Sequence, residues 1–266
     1  MSAIKPAVRD VFLGFTARYE AVIYHLYADI KNLVTTGAGN LVDPVERALS
    51  LPLRTPDGEI ASEEAIRADW EAVKNDPGSA QGGAPYARTI TGLRMTQDDV
   101  RQLVDTKLDQ VGDALAVRFP GFEDFPADAQ LALLSWAWAV GTGAKFPALD
   151  EAVAARDWDR AADEIQINAS GNPGVVPRNA VNRDLMHAAA GVLYPDQLSL
   201  SVGDDSALPE VPPPGENAPV LSALQVRTTS GTGWTVAKVL AGLVLLGGAA
   251  YGTKRLVDRH LAKKAA

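Results

Sequence analysis

The chain of 266 residues contains no cysteine, which excludes a disulfide framework and any thiolate metal site. Its three histidines, His25, His187 and His260, are scattered without HExxH or similar spacing, so no metal centre and no cofactor are expected. Basic charge is also scarce: residues 1–198 hold 18 Lys+Arg against 28 Asp+Glu. This region therefore lacks the basic footprint of a nucleic-acid binder and the cationic surface that holds anionic polymers. The opening Met1-Ser2-Ala3-Ile4-Lys5-Pro6 is short and soon meets charged residues, unlike a secretory signal. What is present suffices for a core, with 47% hydrophobic residues in a length that permits one large or two ordinary domains.

Composition divides the chain. Residues 1–198 read as a folded domain, and 199–232 as a Pro/Gly/Ser-rich tether. The stretch 233–253 follows, in which Trp234 to Thr253 carry a single charge, Lys238. At about 1.5 Å per residue, twenty residues reach across a roughly 30 Å hydrocarbon layer. Trp234 and Tyr251 stand near its ends, as interfacial aromatics do. The tail 254–266 is basic, with Lys254, Arg255, Arg259, Lys263 and Lys264 against Asp258. A transmembrane helix over 234–253 is expected, so a lipid membrane is an expected partner. A buried helix is the alternative, and Gly248-x-x-x-Gly252 suits helix pairing, including self-association, in either case.

Within the domain, Val8, Val11, Phe12, Phe15 and Tyr19 recur at helical spacing, which places Glu20 near the C-terminal end of an amphipathic helix. Leu33 to Thr36 reads as a short strand because β-branched residues suit a pleated surface, and Asp29 to Asn32 as the turn feeding it. Phe125 to Val140 reads as a buried helix. Trp136 and Trp138 lie two apart on it and face different sides, so at least one belongs to the core. Residues 76–96, rich in Gly and Pro, read as an inserted loop.

One constellation reads as chemistry: Glu20-x8-Asp29-x5-Thr35, continuing into Gly37, Gly39 and Asn40. Splitting a glycosidic bond needs an acid to protonate the leaving oxygen and a second polar group across the sugar. The nine-residue offset lets Glu20 and Asp29 stand on opposite walls of a cleft, where neighbouring turns of one helix would not. Taken singly, such carboxylates are ordinary surface groups, and Gly37 and Gly39 can serve merely as turn residues. It is the joint spacing, with Tyr27, that is specific. At residue frequencies of roughly 5–7%, six fixed positions recur by chance in far fewer than about one in a thousand such chains.

These residues resemble the phage-type lysozymes, glycoside hydrolase family 24. Further along, Gly141-Thr142-Gly143-Ala144-Lys145-Phe146 is similar to the family's glycine-bearing turn. Arg156-Asp157-Trp158-Asp159-Arg160-Ala161-Ala162 resembles its segment around Trp, and Gly174 and Arg178 resemble the residues that open its last helix. The resemblance covers roughly residues 8–195. It implies a mainly α, α+β lysozyme-like fold of two lobes with a small β-hairpin carrying Asp29 and Thr35. The implied activity is a muramidase acting on bacterial peptidoglycan without a cofactor.

Carried over, Glu20 is the general acid, Asp29 activates or positions water, Thr35 helps hold that water, and Arg178 is a buried cation beside Glu20. Gly37, Gly39 and Asn40 support the substrate side. Two departures stand out. Asn40 replaces a common His and cannot carry charge, and Ala21 and Asn32 replace common glycines, though Asn tolerates a left-handed backbone. A wall enzyme without a signal needs another route outward. Delivery in a phage virion is favoured, with a secreted antibacterial effector as the alternative. From other classes, a catalytically silent wall-binding module and a structural membrane protein of a particle are weighed against these.

Overall fold

The structure, a computed structural model, describes residues 3–200. Nearly all of the tether expected over 199–232, and the whole of the expected membrane helix over 233–253 and basic tail over 254–266, lie outside the described residues. Among the described residues no helix is long and apolar enough to cross a membrane.

The chain is mainly helical with one small antiparallel sheet. Helix α1 (Pro6–Thr16) starts with Pro at its first turn, where the missing N–H costs nothing. Of the expected stripe it buries Val8, Phe12 and Phe15, whereas Val11 is half-buried and Tyr19 lies beyond the helix. The helix ends four residues before Glu20, so Glu20 stands in the turn beyond it rather than on its last turn. Three strands follow in the order β1 (Ile23–Ala28), β2 (Val34–Gly37) and β3 (Asn40–Leu41). The strand expected at Leu33 to Thr36 is β2, shifted by one residue, whereas β1 was not anticipated.

By contacts the described residues form two compact units. The first comprises the chain up to Tyr24, the turn Gly37–Asn40, and the described residues from Met95 on. Its centre is α5 (Ala127–Val140), buried without interruption from Ala127 to Trp138. A helix apolar on all sides has to be surrounded, and α1, α4 (Gln97–Arg118) and α8 (Val175–Ala190) pack on it. Helix α4 begins with a capping box, Thr96 and Asp99 each satisfying the other's backbone N–H. Two short helices follow, α6 (Pro147–Ala154) and α7 (Trp158–Glu164). Arg156, at φ 54°, breaks the helix between them, and the Asp157 side chain caps α7.

The second unit comprises His25–Thr36 and Leu41–Arg94. In it α2 (Glu63–Asn75), capped by Ser62, packs against α3 (Ser79–Ile90). Helix α3 corrects the expectation of a loop over 76–96. Its Gly and Pro punctuate a helix instead of abolishing it: Gly83 takes φ 56° at a kink, and Pro85 opens the turn that follows, where its fixed φ is favourable.

Candidate active site

Glu20 and Arg178 belong to the first unit. The N–H groups of Tyr19 and Glu20 both donate to the carbonyl of Thr16 at 2.9 Å, so the last turn of α1 closes on itself and fixes where Glu20 projects. Arg178 sits in the opening turns of α8, only 3% exposed, and its Nη2 donates to Glu20 Oε1 at 2.7 Å. Nearly buried guanidinium groups need a counter-charge, more so at a helix N-terminus, where the macrodipole disfavours a cation. Glu20, 32% exposed on its side chain, supplies that charge while leaving its carboxyl open to solvent. The guanidinium also lies 5.1 Å from the centroid of the Tyr19 ring. Burial raises the pKa of the Tyr19 hydroxyl, against the opposing pull of Arg18 and Arg178.

Gly37, Gly39 and Asn40 form the tip of the β2–β3 hairpin, in the same unit. Gly37 has φ 59°, and a Cβ there would come within 2.9 Å of Asn40 Oδ1 and 3.2 Å of Leu103. Both facts select glycine. Asn40 is buried, and among the described residues its Oδ1 has no hydrogen-bond partner. The two carbonyls of the turn are held by side chains from the helices: Trp138 Nε1 donates to Ala38 O at 3.0 Å, and Lys107 Nζ to Gly39 O at 2.9 Å. Trp138 is thus a core residue with its polar edge in use, and Trp136 is fully buried as well. Neither stands as a free sugar platform.

Asp29 and Thr35 belong to the second unit, where Leu33 joins them. Asp29 Oδ1 accepts the N–H groups of Lys31 and Leu33, each at 2.8 Å. The Asp29 N–H donates to Leu33 O at 2.9 Å, and Thr35 Oγ1 donates to the same oxygen at 3.2 Å. Among the described residues Asp29 Oδ2 accepts no hydrogen bond, and the Thr35 hydroxyl, its proton spent on Leu33, keeps lone pairs to offer. Both atoms suit the holding of a water molecule. Asn32 closes the turn at φ 58°, the conformation that Asn tolerates. Lys74 Nζ braces it, donating to Asn32 O at 2.7 Å and to Asp43 Oδ2 at 2.6 Å.

The structure therefore brings Glu20 to Arg178, and Asp29 to Thr35, each pair within its own unit. Lys107 and Lys74 were not singled out from sequence. The signal for Lys107 was its place beside the buried stripe Val100, Val104, Leu108 and Val111 of α4, where an ammonium has to find acceptors. Among the described residues no cluster of three His, Asp or Glu is placed to hold a metal. A cavity of about 430 Å³, lined by Arg118, Phe119, Phe125, Asp150 and Arg156 among others, includes none of the candidate site residues.

Compared with models of known protein families the sequence matches none, and compared with curated proteins it likewise shows no match.

Proposed function

We propose that this chain is a peptidoglycan hydrolase of the phage-type lysozyme kind, a muramidase that cleaves the β-1,4 bond between N-acetylmuramic acid and N-acetylglucosamine. The observation that carries the reading is the Arg178–Glu20 pair at 2.7 Å, between residues 158 apart in sequence. The resemblance implied this pair, and neither residue predicts it alone. The motif spacing and the linkage of Asp29 to Thr35 through Leu33 support the same reading, as does the mainly helical chain with its small sheet.

In this mechanism Glu20 protonates the leaving oxygen, and Arg178 fixes its rotamer. Asp29 Oδ2 and Thr35 Oγ1 hold the attacking water, which suits an inverting reaction. The apolar stretch 234–253 and its basic flank support anchoring at a membrane, in a virion that delivers the enzyme to the wall.

The test is mass spectrometry of muropeptides released from purified peptidoglycan by the full chain in detergent, beside Glu20→Gln. Reducing-end N-acetylmuramic acid from the wild type is expected, with release reduced roughly 10²–10⁴-fold in the variant. Anhydro ends would make the enzyme a lytic transglycosylase. Wall binding without release would leave a non-catalytic module.

A further inference from the structure

The ammonium of Lys107 occupies an unusual position for a lysine. It donates to Gly39 O at 2.9 Å and lies 3.9 Å from the centroid of the Trp138 ring. Trp138 in turn donates its indole N–H to Ala38 O at 3.0 Å. Lys107, Trp138 and the Ala38–Gly39 turn therefore close a ring of contacts in which each member orients the next. A cation over an indole face is worth more as water is removed, and Lys107 is partly buried.

The charged groups in electrostatic reach of this ammonium are Glu20, from the turn after α1, and Arg178, from α8. The Trp138 face and the Gly39 carbonyl are the neutral groups that meet it. We propose that Lys107 is a positioning residue of the candidate site: with Trp138 it clamps the Ala38–Gly39 turn and so holds Gly37, Gly39 and Asn40 in place for the substrate. The part that concerns the substrate rests on the muramidase reading; the clamp itself does not.

The electrostatics agree with the geometry. Burial, against the opposing pull of Glu20 and with a smaller contribution from Arg178, lowers the pKa of Lys107 from 10.5 to about 8. The ammonium is therefore charged below about pH 8 and held so in part by Glu20. Where Asn40 cannot carry charge, Lys107 supplies a titratable group at the same turn.

The experiment follows the Lys107 side-chain resonances by NMR across pH in the full chain, assigned by their loss in Lys107→Arg. The Lys107 midpoint is expected at about 8, as for an ammonium buried in the clamp. A midpoint near 10.5 would overturn the clamp whether or not peptidoglycan is cut. Lys107→Met, which keeps length and removes charge, is expected to speed hydrogen exchange of the Trp138 indole N–H by about tenfold or more, with Lys107→Arg close to wild type. Equal exchange in all three proteins would refute the clamp.

In muropeptide release, Lys107→Met is expected to raise KM several-fold, with Lys107→Arg close to wild type, since an ammonium and a guanidinium can each donate to the Gly39 carbonyl. Absence of release by the wild type would sink the muramidase reading alone. An equal rise in both variants, or none in either, would sink the assignment of Lys107 as a positioning residue. Should Lys107→Met not fold, the Lys107 titration midpoint in the wild type still decides the matter.

Discussion

Glu20 and Asp29 are both carboxylates of one short motif, yet the two units hold them by opposite means. Glu20 is governed by charged side chains from distant sequence, Arg178 at 2.7 Å and Lys107 in electrostatic reach. Asp29 is governed by its own turn, through backbone N–H groups two and four residues on. Side-chain charges can be neutralised, substituted or screened, whereas backbone donors cannot. The first arrangement ties the position of a carboxyl to side chains from elsewhere in the fold, whereas the second builds it into a single turn.

The comparison breaks hardest at Arg178. Arg178→Met is expected to cost about 3 kcal/mol of folding stability, the upper end for losing a hydrogen bond between charged groups, since the carboxylate left behind is partly exposed. Urea unfolding measures it, and a change under about 0.5 kcal/mol would mean the pair is a surface ornament. The second unit responds to pH elsewhere, at His25. Burial, together with Arg94 and Arg88, lowers its pKa from 6.5 to about 4, against the opposing hydrogen bond to Ala84 O.

For His25 the folded state binds fewer protons than the unfolded one between those values. Stability is therefore complete above about pH 6.5 and is lost as pH falls toward about 4. Unfolding at pH 7 and pH 4.5 should show an acid loss of about 2–3 kcal/mol that His25→Gln lacks. Equal losses in both proteins would assign the acid sensitivity to other groups. The smallest effect is expected where the comparison is sharpest. Asp29→Asn keeps an oxygen for both N–H donors, so its stability should change by less than about 1 kcal/mol even as muropeptide release collapses.

What the sequence made legible follows the range of each interaction. Helices α1 and α5 and the turn at Asn32 were readable because periodicity and backbone preference are local. Strand β1 is hidden because Ile23 to Ala28, though rich in β-formers, lacks the polar–apolar alternation that marks a half-buried strand. Helix α3 is hidden because Gly and Pro break a helix at some positions and are tolerated at others. Gly83 sits at a kink and Pro85 just after it, the places where each is tolerated. The Lys107–Gly39 contact spans 68 residues, and no local pattern announces it.

The first unit also closes upon its own ends. Gln130, in α5, receives the Lys5 N–H and donates to Ala3 O, Ala127 N–H donates to Pro195 O, and Asp128 accepts the N–H of Ser199. Lys5 pairs with Asp196 across the same place. Tension applied through the chain beyond residue 200 would thus meet the Asp128, Pro195 and Lys5 fastenings before it reached α8. Those fastenings act as a strain relief, so a pull on a tether would be borne at the start of α5 while Arg178 kept its grip on Glu20.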